Sequence, residues 1–109
     1  MPPFKLDLDV SAQPDVTIMT VAGELDMTTC RYVTRATDYL ILQGRTLALD
    51  LSALTYMDSS GLDMLLTLRN RARTEYGVLH LYGVPRQALR VLDLTGTRGL
   101  FTLRPCLTP

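Results

Sequence analysis

Four consecutive residues near the middle of the chain, Asp58, Ser59, Ser60 and Gly61, combine an acid, two hydroxyls and a flexible backbone position. An apolar stretch precedes them, and leucines at helical spacing follow them. This pattern predicts that a strand ends and a helix begins here. A helix N-terminus presents unpaired N–H groups and a partial positive charge, so either serine can cap the helix or carry a phosphate. The residue types alone leave the two interpretations open.

A phosphate on Ser59 would change the local charge strongly. It adds about −1.5 to −2 charges at neutral pH, next to Asp58 and within one helical turn of Asp63. Asp26 follows another predicted strand and adds to this negative potential if it lies at the same edge of the sheet. A partner that fits the unmodified surface would then meet added bulk and like-charge repulsion, which costs several kcal/mol. Since about 4 kcal/mol is roughly a thousandfold in affinity, such a phosphate is sufficient for a switch.

Three other kinds of site fit the sequence less well. A hydrolase with Ser59 as nucleophile needs a base, but the single histidine, His80, falls within a predicted strand, and no Gly-x-Ser-x-Gly motif is present. A receiver domain with Asp58 as phosphate acceptor needs carboxylates at one strand end, whereas Asp7 and Asp9 alternate along a strand. The sequence also lacks glycine loops of the Walker or dinucleotide-binding type. We therefore expect no enzymatic activity, no cofactor and no metal ion.

The composition predicts one globular domain over residues 1–109. Of the 109 residues, 47% are hydrophobic and 20% are charged, and this length is enough for a single core. The 11 basic residues balance 11 acidic residues, which argues against general nucleic-acid binding. The sequence shows no signal peptide and no apolar run of about 20 residues, so the expected location is the cytoplasm.

The cysteines and a group of arginines have structural interpretations. Cys30 and Cys106 follow no metal-binding or redox spacing and are predicted to be free and buried. Arg69, Arg71 and Arg73 cluster on one predicted helix. We interpret them as a solvated face near the C-terminus of that helix, where positive charge is favourable.

Hydrophobic periodicity predicts an α/β domain with a mixed, mainly parallel sheet of about five strands, in the order β-β-α-β-α-β-α-β. The first strand is an alternating edge strand, and the segment Gly23–Asp26 breaks the second. Thr28 or Thr29 is expected to cap the first helix, and Gly44 to end it. The predicted inner face of that helix carries Cys30, Val33, Thr37, Leu40 and Ile41. Later strands are predicted at residues 47–51, 78–82 and 100–103, and later helices at residues 59–76 and 86–95.

Two motifs in this arrangement resemble those of a known family. Leu49 to Leu62 (LDLSALTYMDSSGL) resembles the signature of bacterial anti-sigma factor antagonists, which are members of the STAS domain family. Gly23–Asp26 (GELD) resembles the second short motif of that family, and Val84 to Gly96 resembles its third helix and the glycine that follows. The resemblance covers nearly the whole chain in the same order. It implies a single STAS-like domain.

The resemblance also implies a function and a role for each site residue. In this family the serine directly after the aspartate is phosphorylated by a serine kinase that is itself the anti-sigma factor, and this serine corresponds to Ser59. The unmodified protein would bind the kinase and so release a sigma factor. Phosphorylation would end binding, and a serine phosphatase would restore it. The residues expected at the partner-binding surface are Asp26, Asp58, Ser59, Ser60, Gly61 and Asp63.

The alternative is a non-switching STAS-type interaction module in which Ser59 is only a helix cap. In both interpretations the partners are proteins, with no nucleic acid and no membrane. Ser60 is expected to be a helix-start residue. Asp63 and Met64 replace a small, glycine-containing pair of the relatives and are expected to form a bulkier, more charged surface. An Asp26→Ala change is expected to weaken the complex with little effect on the melting temperature.

Overall fold

The apolar segments form six strands and three α-helices in the computed structural model, which describes residues 5–106. The strands are β1 (Leu6–Ala12), β2 (Val16–Leu25), β3 (Thr46–Asp50), β4 (Leu54–Met57), β5 (Val78–Tyr82) and β6 (Thr102–Arg104). The helices are α1 (Cys30–Asp38), α2 (Ser59–Thr74) and α3 (Arg86–Thr95), and a short 3-10 helix spans Arg98–Leu100. Phe4, which is part of the predicted first strand, lies outside the described residues.

All six strands belong to one mixed sheet. Its main path runs β1-β2-β3-β5-β6, and β4 pairs with β2 beside this path. β1 is antiparallel to β2, whereas every other pair is parallel. The prediction of a mixed, mainly parallel sheet with β1 at an edge is therefore confirmed. β4 is the one strand that the predicted order does not contain.

β2 does not end at Gly23, as the sequence predicts, but continues to Leu25. It can do so because β4 provides a second pairing partner beyond the end of β3. The register shifts between Gly23 and Glu24, and Gly23 has a φ of +108°, which favours glycine. A Cβ atom at Gly23 would lie 2.1 Å from the carbonyl oxygen of Lys5. The glycine thus forms a bulge within the strand instead of its end.

α2 starts as predicted and packs one face against the sheet. Its buried residues are Gly61, Leu62, Met64, Leu65, Leu68 and Ala72. Met64 is only 8% exposed, so the prediction that it widens the surface beside Asp63 is wrong. Asp63 itself is exposed. The apolar spacing of the helix leaves Met64 on the inner face, where its flexible thioether fills the core.

α1 is shorter than predicted and ends at Asp38. Ile41 belongs to the predicted inner face but is 76% exposed, and Leu42 is buried in its place. Gly44 has a φ of +66° but lies in the loop beyond the helix, and its N–H donates to the carbonyl oxygen of Glu75. The predicted role of Gly44 as the helix C-cap is therefore wrong.

Arg71 pairs with two carbonyl oxygens at the point where α1 ends. Its guanidinium donates to the carbonyl oxygens of Thr37 at 2.6 Å and Leu40 at 2.8 Å. These carbonyls are paired without a further helical turn, which relieves the usual cost of a helix C-terminus. Arg69 similarly donates to the carbonyl oxygen of Leu100 at 2.6 Å. Arg69 and Arg71 thus connect α2 to neighbouring segments and are not part of a solvated face, whereas Arg73 is exposed as the sequence predicts.

The C-terminal part of the chain also departs from the prediction in detail. Leu100 belongs to the 3-10 helix, and the buried Phe101 separates it from β6. Cys30 is partly buried and Cys106 is exposed, so the predicted burial is wrong for Cys106. In the segment that the structure describes, no helix has the length and apolar character needed to cross a membrane.

Candidate functional site

Asp58, not a serine, caps the helix at the predicted junction. Its Oδ1 atom accepts hydrogen bonds from the backbone N–H of Ser60 at 2.9 Å and of Gly61 at 3.2 Å. Ser59 is the first residue of α2 and is exposed. Within residues 5–106, no hydrogen bond involving the Ser59 hydroxyl is formed. The capping role that the alternative gives to Ser59 is therefore wrong, because Asp58 performs that function. A non-switching interaction module remains the alternative to a phosphorylation switch.

Gly61 belongs to the site through packing and has no side chain to present. It is buried, and a Cβ atom there would lie 2.6 Å from Cγ of Met57 and 3.0 Å from the carbonyl oxygen of Leu25. The absence of a side chain lets the first turn of α2 lie directly on the ends of β2 and β4. Ser60 is half-buried in the same turn, in agreement with a helix-start position.

Asp26 and Asp58 lie at the same edge of the sheet. Leu25 and Met57 are paired residues of the parallel strands β2 and β4, so the next residue of each strand leaves the sheet at the same level. The backbone N–H of Asp58 also donates to the carbonyl oxygen of Leu25 at 3.1 Å. Asp63 follows one turn into α2 and is exposed. We call the surface formed by Asp26, Asp58, Ser59 and Asp63 the acidic edge.

The carboxylate of Asp26 closes the turn between β2 and α1. Its Oδ1 atom accepts from the N–H of Thr28 at 2.8 Å, from the hydroxyl of Thr28 at 2.7 Å and from the N–H of Thr29 at 3.1 Å. The backbone oxygen of Asp26 accepts from the N–H of Cys30 at 3.0 Å. Thr29 holds the N-cap position of α1, as predicted, but its side chain makes no capping hydrogen bond. Its hydroxyl donates instead to the carbonyl oxygen of Glu24 at 2.7 Å. We call residues 26–29 the Asp26 turn.

Lys5 provides the cation at this site, and the sequence did not indicate it. Its Nζ atom lies 2.5 Å from Oδ2 of Asp26 and 3.8 Å from Oε1 of Glu24. It also donates to the hydroxyl of Thr28 at 3.3 Å. The hydrogen bonds from Lys5 and Thr28 hold the pKa of Asp26 well below its usual range, and Asp26 in turn raises the pKa of Lys5. Asp26 is thus a structural residue, whatever else it contacts.

This ion pair predicts a pH dependence of folding. A carboxyl with a lowered pKa in the folded state stabilises the protein above its unfolded pKa, about 3.9, and loses that contribution as the pH falls below it. Asp26→Asn is expected to flatten the acid side of a plot of unfolding free energy against pH, and Lys5→Met to flatten it in part. Urea titrations at a series of acidic pH values measure this. Equal slopes for wild type and Asp26→Asn would show that the pair is not formed in solution.

The same bonds revise the expected effect of Asp26→Ala. The sequence suggests little change in melting temperature, but removal of this carboxylate leaves the N–H of Thr28 without its acceptor and takes from the Lys5 ammonium its shortest contact. The N–H of Thr29 keeps only the backbone oxygen of Asp26 as its acceptor. A measurable fall in melting temperature is therefore expected. The more conservative Asp26→Asn keeps an acceptor oxygen and separates loss of charge from loss of the turn.

Cys30 begins α1 beside the acidic edge. Burial, followed by the negative charges of Asp58, Asp26 and Asp63, raises the pKa of its thiol to about 11. A thiol that stays protonated at neutral pH is a poor nucleophile and a poor metal ligand.

Gln87, on α3, holds the end of β4 in place. Its side-chain amide accepts from the N–H of Met57 at 2.8 Å and donates to the carbonyl oxygen of Met57 at 2.8 Å. The amide thus pairs with the last residue of β4 as a neighbouring strand would. This residue lies on α3, 30 positions further along the chain, and no local pattern signals such a contact.

The remaining candidate groups do not assemble a catalytic site with Ser59. His80 lies in β5, half-buried, and burial together with the Arg104 charge lowers its pKa. No hydrogen bond joins His80 to Ser59 among the described residues. Those residues also contain no group of three or more His, Cys, Asp or Glu side chains suited to a metal ion.

Comparison with known proteins gives consistent matches along the chain. The STAS domain family model matches residues 7–107. The anti-sigma-B factor antagonist of Listeria monocytogenes is 31% identical over 85 residues, which are 77% of this chain and 75% of that protein. The anti-sigma-B factor antagonist of Bacillus subtilis is 24% identical over 100 residues, which are 92% of each chain. The crystal structure of an anti-sigma factor antagonist from Mycobacterium paratuberculosis superimposes with a TM-score of 0.83 at 27% identity, covering 96% of this chain and 90% of that one.

Proposed function

This chain belongs to the STAS domain family, and we propose that it acts as an anti-sigma factor antagonist whose partner binding is switched by phosphorylation of Ser59. The names of its relatives support the antagonist function. The observation that carries the switch is the position of Ser59: its hydroxyl is exposed at the start of α2 and is not used by the fold. A kinase can therefore modify it without removing any interaction that stabilises the domain.

The unmodified protein binds an anti-sigma factor that is also a serine kinase, and so releases a sigma factor. Phosphorylation of Ser59 by this kinase then ends the interaction. The phosphate enters next to the Asp58 carboxylate, which already occupies the N–H groups of Ser60 and Gly61. The added charge therefore projects from the acidic edge toward the partner, where it repels and obstructs a surface that fitted the unmodified protein.

The other participants follow from this mechanism. ATP belongs to the kinase, and a serine phosphatase returns the protein to its binding form. The antagonist itself needs no catalytic residue, cofactor or metal ion, and it acts in the cytoplasm through protein contacts without nucleic acid or membrane. Of the six residues expected to meet the partner, five lie at or beside the acidic edge, and Gly61 supports them from beneath.

Incubation with ATP and the purified anti-sigma factor kinase of the same organism tests the assignment. Ser59→Ala is expected to take up no phosphate, because the acceptor oxygen is gone. Its unfolding free energy should stay within about 0.5 kcal/mol of wild type, because Ser59 is exposed and Asp58 remains as the cap. Intact-protein and peptide mass spectrometry measure the phosphate, and urea denaturation measures the stability.

Ser60→Ala is the matched control, since it removes the neighbouring hydroxyl of the same turn. It should be phosphorylated as wild type is. A phosphate found on Ser60 or Thr55 would make the residue assignment wrong. Thr55 is a less suitable acceptor because its hydroxyl already donates to the carbonyl oxygen of Gly23 at 3.0 Å.

A further inference from the structure

One apolar side chain at this edge has no structural explanation. Met27 is 79% exposed and occupies the tip of the Asp26 turn, directly between two polar residues. The fold gains almost nothing from its apolar surface, since most of that surface remains in water. Isolated exposed apolar residues are common, so exposure alone does not give Met27 a function. The rigid turn beneath Met27 and the charged residues around it indicate a function.

Hydrogen bonds and an ion pair fix the turn that carries Met27. The residue before it, Asp26, accepts three hydrogen bonds through Oδ1 and pairs with Lys5 through Oδ2. The residue after it, Thr28, donates both its N–H and its hydroxyl to Asp26. A side chain on such a turn loses little backbone freedom on binding, which reduces the entropic cost of association.

Lys5 and Gly23 contribute to this support from the strands. Gly23 allows the carbonyl oxygen of Lys5 to come within 2.1 Å of where a Cβ would be, and that oxygen accepts from the N–H of Glu24 at 2.7 Å. This contact fixes the start of β1 over the end of β2 and places the Lys5 ammonium on Asp26. The bulge, the ion pair and the turn thus form one unit beneath Met27.

The surroundings of Met27 define the chemistry of its partner. Four carboxylates lie at this edge of the sheet, on Glu24, Asp26, Asp58 and Asp63. Two cations lie beside them, the Lys5 ammonium and Arg31, which lines one cavity together with Lys5 and Thr28, so the balance of charge stays negative. An apolar side chain within a negatively charged surface is complementary to an apolar pocket bordered by lysine or arginine. Flexible methionine side chains fit such pockets well because they adapt to irregular shapes.

We propose that Met27 is the apolar anchor of the partner interface and enters a pocket on the anti-sigma factor whose border is basic. This inference rests on the proposed function and specifies which residue provides the affinity. Ser59 decides whether the complex forms, and Met27 decides how tightly it forms. The Asp26 turn and Lys5 position the anchor, and they need not touch the partner.

Calorimetric titration of the purified anti-sigma factor kinase of the same organism with unphosphorylated protein tests this proposal. Met27→Gln, which keeps the length but removes the apolar character, is expected to raise the Kd by about tenfold or more, as for a central anchor residue. Met27→Leu should stay close to wild type. Leu94→Gln is the matched control, because Leu94 is 80% exposed on α3 and should leave the Kd unchanged.

The outcomes separate this inference from the proposed function. A wild-type complex of normal affinity that Met27→Gln leaves unchanged would overturn the anchor and leave the switch intact. Equal losses for Met27→Gln and Leu94→Gln would also overturn it, since the effect would then be nonspecific. No binding by the wild-type protein would overturn both. Melting temperatures of all three variants should match wild type, because neither Met27 nor Leu94 is packed in the core.

Discussion

Phosphorylation of Ser59 is expected to raise the Kd of the complex with the anti-sigma factor kinase by about a thousandfold, which corresponds to about 4 kcal/mol. The modification places about two negative charges beside Asp58 at the acidic edge. Part of the loss is steric, because the phosphate occupies space that the partner fills. The rest is electrostatic and should diminish as salt screens the charges. Calorimetry with unmodified and enzymatically phosphorylated protein, at low and high salt, measures both parts.

Two variants show whether position or charge is responsible. Ser59→Asp should weaken binding less than the phosphate does, since a single carboxylate is smaller and carries less charge. Thr67→Asp adds the same charge at an exposed position two turns further along α2 and should leave the affinity near wild type. Unchanged affinity of the phosphorylated protein would refute the switch, whereas equal losses for both variants would point to net charge alone.

Gly23→Ala is expected to lower the unfolding free energy by about 2–5 kcal/mol, the largest effect on stability that we expect from one methyl group. A positive φ is strained for any residue with a Cβ, and here the φ is +108°. The new methyl would also overlap the carbonyl oxygen of Lys5, a backbone atom 2.1 Å away that cannot move without displacing β1. Displacement of β1 in turn withdraws the Lys5 ammonium from Asp26. Urea denaturation measures the change.

Gly99→Ala is the control for the loss of glycine flexibility. A Cβ at Gly99 meets no atom within 4 Å and needs no unusual φ, so this variant should be as stable as wild type or slightly more stable. A Gly23→Ala protein with wild-type stability would show that β1 is not fixed at the bulge. The support that we assign to the Asp26 turn would then be wrong as well.

Local patterns were sufficient for the long elements of this fold. The apolar spacing of α2 and the proline and glycine that bracket α3 correctly predict both helices, and Gly96 ends α3 with a φ of +70°. The alternating acids of β1 correctly predict an edge strand. These signals depend on neighbours within one element, where residue type and spacing determine which face is buried.

The errors arise where distant residues decide the structure. β4 has only four residues, too few for a clear period, and it lets β2 continue through a glycine that usually ends a strand. α1 ends earlier than its pattern predicts, where Arg71, more than 30 positions away, pairs with the carbonyl oxygen of Thr37 in its last turn and with that of Leu40 just beyond it. In both places a tertiary contact overrides the local preference, and nothing within the element reveals it.

At the candidate site, too, local patterns predict some features and distant contacts decide others. The order of Asp58, Ser59, Ser60 and Gly61 predicts a helix start, but not which residue caps it, because all three polar side chains are good caps. The family resemblance selects Ser59 as the phosphate acceptor, and the geometry adds that Asp58 leaves its hydroxyl unused. The sequence could not predict the ion pair of Lys5, because its partner Asp26 lies 21 positions away.

The side-chain amide of Gln87 affects how other proteins can recognise a phosphate on Ser59. Together with the Asp58 cap it anchors the backbone on both sides of Ser59. We therefore expect a phosphate on Ser59 to alter the surface while the backbone stays in place. The effect of such a phosphate is then confined to the surface around Ser59 and does not reach remote parts of the molecule. Any protein that distinguishes the phosphorylated from the unmodified form must then contact the first turn of α2 itself. We therefore expect the proposed kinase and phosphatase to compete for one surface, so that the protein contacts only one of them at a time.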